Sequence, residues 1–193
     1  MTLEERLREL ASSPPPPELE ATTLVSVGAA DLVARTDSPY GDVWIAWSTR
    51  GFTGLTPGFA ASTLEVFLAR HRRAAYASDR LPRELEDLAQ RALTSGDTVG
   101  LPIDLSGMGS FATAVLGACS SIPPGSVRPY GWIADAIDKP GAVRAVGTAL
   151  ARNPIPLLVP CHRVVRSDGT VGEYAFGADM KHDLLVREGA LLA

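Results

Sequence analysis

Apolar positions change their period along the chain. Residues 23–34 and 42–55 are rich in Val, Ile, Trp and Thr. The run Asp42-Val43-Trp44-Ile45-Ala46-Trp47 reads as a strand, and Arg50-Gly51 as a turn into a second strand, Phe52 to Leu55. Leu64, Phe67 and Leu68 then fall at helical spacing within 62–73, as do the apolar positions from Leu85 to Leu93. Residues 99–105 have the character of a further short strand. Beyond Gly107-Met108-Gly109 the pattern turns helical, with Phe111, Val115, Leu116 and Cys119 on one face and a break at Ile122-Pro123-Pro124-Gly125. A second helix is expected from about Pro129, where a missing N–H costs nothing in a first turn, to Ile137. Asp138-Lys139-Pro140-Gly141 makes a tight turn into a third helix over 142–152, the outline of a helix-turn-helix. At the other end, Leu3, Leu7 and Leu10 line one face of a short helix, and Pro14 to Pro17 end it in an extended run.

This order predicts an α+β chain: an extension over 1–20, an α+β domain over 21–106 and a helical domain over 107–193. The 193 residues suit one large domain or two small ones. No apolar run approaches the roughly 20 residues of a membrane span, and Met1 to Leu10 alternates Leu with Glu and Arg instead of forming a signal core. A cytoplasmic location is therefore expected. In that compartment Cys119 and Cys161, which could otherwise pair, stay reduced. No CxxC and no His/Cys cluster suggests a metal, so each thiol stands on its own surroundings.

Net charge is −4, which argues weakly against a nucleic-acid partner, but the charge is unevenly placed. Residues 1–127 carry a net −5 and residues 167–193 a net −3, whereas 128–166 carry +4 from Arg128, Lys139, Arg144, Arg152, Arg163 and Arg166 against Asp135 and Asp138. Phosphate responds to such a local field more than to the total.

The same basic stretch holds Asn153-Pro154-Ile155-Pro156-Leu157-Leu158-Val159-Pro160-Cys161-His162-Arg163-Val164-Val165. A thiol attacks mainly as its thiolate; its ordinary pKa is about 8.5, and cationic neighbours lower it. His162 and Arg163 thus make Cys161 a candidate nucleophile. On local chemistry alone the other reading stays open, a small buried hydrophobe beside an unrelated histidine.

Pro160-Cys161-His162-Arg163-Val164 resembles the active-site signature of the O6-alkylguanine-DNA alkyltransferases. The similarity extends through Ile122-Pro123-x-Gly125, Tyr130-Gly131, Arg144-Ala145-Val146-Gly147, Asn153-Pro154, Ser167-Asp168-Gly169, Tyr174, Lys181 and Leu184-Leu185-x-x-Glu188-Gly189. It is dense over 101–190, thematic over 22–100, and does not include 1–20. The resemblance implies a ribonuclease-H-like first domain and a winged helix-turn-helix-like second one. It implies stoichiometric, irreversible transfer of an alkyl group from O6 of guanine, or O4 of thymine, to Cys161, by a monomer that uses no cofactor or metal. The partner it implies is double-stranded DNA bound through the minor groove.

Roles follow by the same resemblance. Cys161, His162 as base and Glu188 as its orienter form a water-bridged relay with the logic of hydrolase triads. Tyr130 directs its hydroxyl to ring N3 of guanine, and Asn153 ties the recognition helix to the Cys161 loop. Arg144 fills the space left by the flipped base, and Ala145, Gly147, Ala149 and Ala151 let the helix enter the minor groove. Arg128, Arg152 and Arg163 are further DNA contacts. Val164, Tyr174, Ala175, Phe176 and Lys181 form the substrate pocket, with the carbonyls of Cys161 and Val164 reading the exocyclic amine.

Three departures stand out. Gly109-Ser110-Phe111-Ala112 replaces Thr-Pro-Phe-Gln, a change of packing. Pro129 stands where a small hydroxyl residue is usual. Phe176 occupies the place of the first of two glycines, where it would narrow the pocket, stack on the substrate or reshape the loop. Three rival functions share parts of this pattern. A lesion-binding relative without transfer activity would lack the reactive cysteine. A helix-turn-helix regulator leaves the Cys161–Glu188 pattern unexplained. A thiol hydrolase would turn over small esters.

Overall fold

The β-branched and aromatic runs of the first half build one sheet in the computed structural model, which describes residues 17–192. The expected helix through Leu3, Leu7 and Leu10 lies outside those residues, as do Pro14 to Pro16. Pro17 does not end a helix but begins one, α1 (Pro17–Ser26), which crosses the expected end of the extension at residue 20. A proline is at home at that first position because its missing N–H would have had no partner there.

Strands β1 (Ala30–Thr36), β2 (Val43–Ser48) and β3 (Gly51–Pro57) form an antiparallel meander. β4 (Ala74–Ala77) adds parallel to β1, with Ala30 opposite Ala74, giving the order β3-β2-β1-β4. The period of two separates the faces of β2. Val43, Ile45 and Trp47 turn toward Ala89, Ala92 and Leu93 of α3 (Arg83–Ser95). Ala46, with Val33, turns toward Phe67 of α2 (Leu64–Leu68). Residues 62–73 were expected to be helical throughout, but α2 stops at Leu68. Tertiary charge pairing overrides the local period there: His71 and Arg73 are drawn to Asp31 of β1, at 2.7 and 3.1 Å, and the chain straightens into β4.

Residues 99–105 do not form a strand. They run past the β2–β3 turn with a single bridge, Phe52 to Ile103, and two backbone bonds, Phe52 N–H to Pro102 O and Asp104 N–H to Phe52 O. Pro102 has no N–H with which to extend the ladder. Gly51 allows this approach, since a Cβ there would lie 2.1 Å from Pro102 O.

The second half contributes α4 (Ser110–Ser120), α5 (Tyr130–Ala136), a 3₁₀ turn (Pro140–Ala142) and α6 (Val143–Ala151), closed by α7 (Ala178–Arg187). Their inner faces, among them Val115, Leu116, Cys119, Ile133, Ala134, Val146 and Leu150, join the same core as β2 and α3. The result is a mixed α+β fold in which one apolar core runs through both halves. No described helix is long and apolar enough to cross a membrane.

Candidate active site

Cys161 opens a 3₁₀ turn (Cys161–Arg163) that leads into the two-residue strand β6 (Val164–Val165). β6 pairs in parallel with β5 (Arg128–Pro129), Arg128 opposite Val164, so the residue after β5, Tyr130, is delivered to the neighbourhood of the thiol. The preceding loop holds its shape with few backbone donors, since Pro154, Pro156 and Pro160 have none. Asn153 supplies the missing bonds. Its Oδ1 accepts from Ile155 N–H at 3.0 Å, and its Nδ2 donates to Val159 O at 3.0 Å and to Cys161 Sγ at 3.2 Å. Buried Leu157 sits at a φ of 72°, a left-handed conformation costly for a branched residue, and is held there by this packing.

Cys161 is 7% exposed and lines a cavity of about 170 Å³ with Tyr130, Leu150, Ala151, Tyr174 and Ala175 around it. Gly147 of α6 also borders this space, with room for only van der Waals contact to Tyr130. A 3₁₀ turn rotates successive side chains by about 120°, and His162 and Arg163 accordingly leave the cavity. Both reach Glu188, which caps α7: His162 Nε2 lies 3.0 Å from Oε1, Arg163 Nε 2.8 Å from Oε2 and Arg163 Nη2 2.8 Å from Oε1. Arg163 also donates to Ile122 O and to Gly96 O at the end of α3.

These contacts fix the charges. Burial pushes the Glu188 carboxyl up, but the hydrogen bonds from His162 and Arg163 outweigh it, and the group ends below its usual range, ionised. Burial holds the His162 imidazole below its ordinary value against the pull of Glu188, so the ring is neutral. A neutral ring facing a carboxylate through Nε2 carries its proton there. Nδ1 is then the basic nitrogen; it is buried and has no hydrogen-bond partner among the described residues.

Sequence reasoning expected the flanking cations to lower the Cys161 pKa. The opposite holds. Burial raises it, and the opposing influences are the Asn153 hydrogen bond and the charge of Lys181. Arg163 is absent from those influences because its charge is met by Glu188. The same burial overturns Arg163 as a DNA contact: it is 0% exposed. Lys181 is fully buried as well and does not line the thiol cavity. Its Nζ donates to Val164 O at 2.6 Å and Glu173 O at 3.4 Å, bracing the loop from behind, and burial brings its pKa down to about 8. Val164 likewise offers no side-chain surface to the cavity, being buried, and its carbonyl already accepts from Lys181.

Phe176 is outside the thiol cavity too. It packs edge-on to Tyr174 on one side, with centroids 5.5 Å apart, and to Phe59 of the loop after β3 on the other, at 5.7 Å. Of the three effects considered for this residue, reshaping the loop fits this position. Tyr174, in turn, stands edge-on to His162 at 6.3 Å, and its buried hydroxyl has no partner among the described residues.

On α6, Arg144 and Ala145 are exposed, and Arg144 has no ion pair among the described residues. Ala151 is exposed, but Ala149 is buried against the core and cannot belong to an outward small-residue face. Arg152 is exposed at the end of α6. Arg128 is half-buried over the Trp132 ring, 5.6 Å from its centroid. Cys119 is fully buried and its thiol is raised by burial, which marks a packing role.

Residues 110–190 match the 6-O-methylguanine DNA methyltransferase DNA-binding domain. The chain is 36% identical over 162 residues to the regulatory protein ada of Salmonella typhimurium, covering 80% of this chain but 44% of that relative, so it spans less than half of that relative's length. It is 35% identical over 157 residues to the methylated-DNA–protein-cysteine methyltransferase of Methanosarcina barkeri, covering 79% of this chain and 93% of the relative. The crystal structure of Mycobacterium tuberculosis OGT in complex with DNA is similar, with a TM-score of 0.67 at 31% identity, over 83% of this chain and 93% of the other.

Proposed function

The chain belongs to the methylated-DNA–protein-cysteine methyltransferase family, and from that premise we propose that it repairs DNA by moving an alkyl group from O6 of guanine to Cys161 Sγ, once per molecule. The observation that carries this reading is a single arrangement: a thiol lining a small cavity, next to a neutral imidazole whose basic nitrogen is unspent and whose other nitrogen is held by an ionised Glu188.

The thiol is protonated at rest, because burial disfavours its anion. The Cys161 proton passes to His162 Nδ1, through a bridging water as in related enzymes, and the imidazolium is stabilised by Glu188. Sγ then attacks the alkyl carbon in line. The S–C bond forms as the C–O6 bond breaks, and the electron pair goes to the departing guanine, which takes up one proton. Tyr130 stands at the cavity to steady that ring through its hydroxyl. Lys181, behind the loop, favours the anionic sulfur by charge. The product is a thioether that no group in the cavity can cleave, hence a single turnover.

In this proposal α5 and α6 act as the helix-turn-helix of a winged half, and the sheet is a ribonuclease-H-like half. Arg144 and Ala145 meet the minor groove, and Arg144 fills the place of the extruded base. Intact mass after incubation with duplex containing O6-methylguanine tests it. The mass should rise by one methyl in exchange for one proton, in the wild type but not in Cys161→Ser, while Cys161→Ser still binds the lesion. Lesion binding with an unchanged wild-type mass would assign the chain to the non-transferring relatives instead.

A further inference from the structure

A second cavity, of about 450 Å³, lies between β3 and the C-terminal end of α6. Arg70, Arg72 and Arg152 line it. All three are exposed, and none is paired with a carboxylate among the described residues. Arg70 donates only to Ala60 O and Arg72 only to Arg152 O. Their neighbours His71 and Arg73 are spent on Asp31 and Asp104. Residues 1–127 hold 15 acidic side chains against 10 basic ones. Two arginines left uncompensated in such a segment are a local field that its own carboxylates do not quench.

The wall of the cavity supplies an independent observation. Thr53 of β3 lines it, is 5% exposed, and its hydroxyl has no hydrogen-bond partner among the described residues. An unpaired buried hydroxyl costs free energy unless a ligand or water satisfies it. A tetrahedral oxyanion accepts from both a hydroxyl and guanidinium groups.

The surroundings identify the source of that anion. Arg72, Arg152 and Met108 also border a shallower groove that runs along α6 past Thr148 to Ala145. A basic track thus joins the exposed face of α6 to the cleft. We propose that the cleft is a phosphate-binding site that takes a backbone phosphodiester of the DNA beyond the reach of α6, with Arg70, Arg72 and Arg152 meeting its charge and Thr53 donating a hydrogen bond. The inference rests on the DNA reading above and adds the sheet half to the interface.

Salt dependence separates the two. For a lesion duplex long enough to extend past α6, the slope of log K against log salt should fall by about 2 in Arg70→Ala/Arg72→Ala, roughly one for each lost phosphate contact. A short duplex confined to the α6 footprint should bind both proteins with the same slope. Thr53→Val should weaken binding of the long duplex several-fold with the slope unchanged. Transfer to free O6-benzylguanine should be equal in wild type and variants, which certifies their folding. An unchanged slope on the long duplex, with normal free-base transfer, overturns the site. If inorganic phosphate raises the melting temperature of the wild type but not of the double variant while the DNA slopes agree, the cleft takes a free anion and the DNA assignment is overturned. Absence of free-base transfer in the wild type strikes the transfer reading instead.

Discussion

Cys161, His162 and Arg163 are consecutive, yet only the first faces the cavity. Adjacency suggested two cations acting on a thiol; the turn instead makes one base and one counter-charge, joined through Glu188. That carboxylate holds the imidazole tautomer and neutralises a guanidinium with no access to water. Removing one partner of a buried ion pair typically costs about 3–5 kcal/mol, so Glu188→Gln should lose stability of that order in urea unfolding, and transfer should slow. The pH dependence follows from the sign of the shift. The Glu188 carboxyl is below its usual value in the folded protein, so the unfolded chain binds the proton more readily in acid. Its stabilising contribution is full above the unfolded pKa and is lost as pH falls through the folded one. The stability of Glu188→Gln should therefore fall less steeply on the acid side than that of the parent; parallel acid limbs would show that Glu188 is not linked in this way.

Helix ends do most of the positioning. Asn153 follows α6 and grips Val159 O and Cys161 Sγ, so the element that carries Arg144 also sets the nucleophile. The two residues should be separable. Arg144→Ala should slow transfer on duplex DNA by at least tenfold and spare free O6-benzylguanine, since a free base needs no flipping. Asn153→Ala should slow both, because it removes a donor to the sulfur. Single-turnover rates on the two substrates decide the matter, and equal losses for Arg144→Ala would remove it from base flipping. Gly96, which ends α3, is a second junction. Its φ is 73°, and a Cβ there would lie 2.5 Å from Glu188 Oε1. Gly96→Ala should destabilise by about 2 kcal/mol or more from the left-handed backbone and the clash together, with a loss of transfer that an alanine elsewhere on α3 does not cause. The α2 region shows the limit of reading elements from periodicity. A helical spacing through 62–73 yields only Leu64–Leu68, because Asp31 in a distant strand captures His71 and Arg73.

Across the whole molecule, one core joins sheet and helices, and polar ties reinforce it: Leu55 N–H to Pro154 O and Arg163 to Gly96 O. Two halves built on a shared core should unfold together. Urea transitions followed by the sheet tryptophans in Trp132→Phe, and by Trp132 in Trp44→Phe/Trp47→Phe, should agree after correction for each variant's stability; a separate earlier transition of either half would contradict the shared core. The β2–β3 meander, the amphipathic faces of α3 and α4, the turn between α5 and α6, and the Cys161 loop were all legible in the sequence. Each is specified locally, by alternation, by helical spacing or by proline and glycine placement. β4 was not, because Ala-Ala-Tyr-Ala gains its pairing only from β1 beside it. The fates of Arg163, Lys181 and Phe176 were equally invisible. A basic or aromatic side chain is written the same way whether it meets solvent, a buried carboxylate or another ring, and only packing decides. The direction of the Cys161 shift belongs to the same class, since desolvation depends on what the rest of the chain lays over the sulfur. The sequence by itself settled which groups are available for chemistry and in what order. The tertiary structure decided which of them are charged, which are hidden, and that the sheet contributes unpaired arginines beside the helix that carries Arg144.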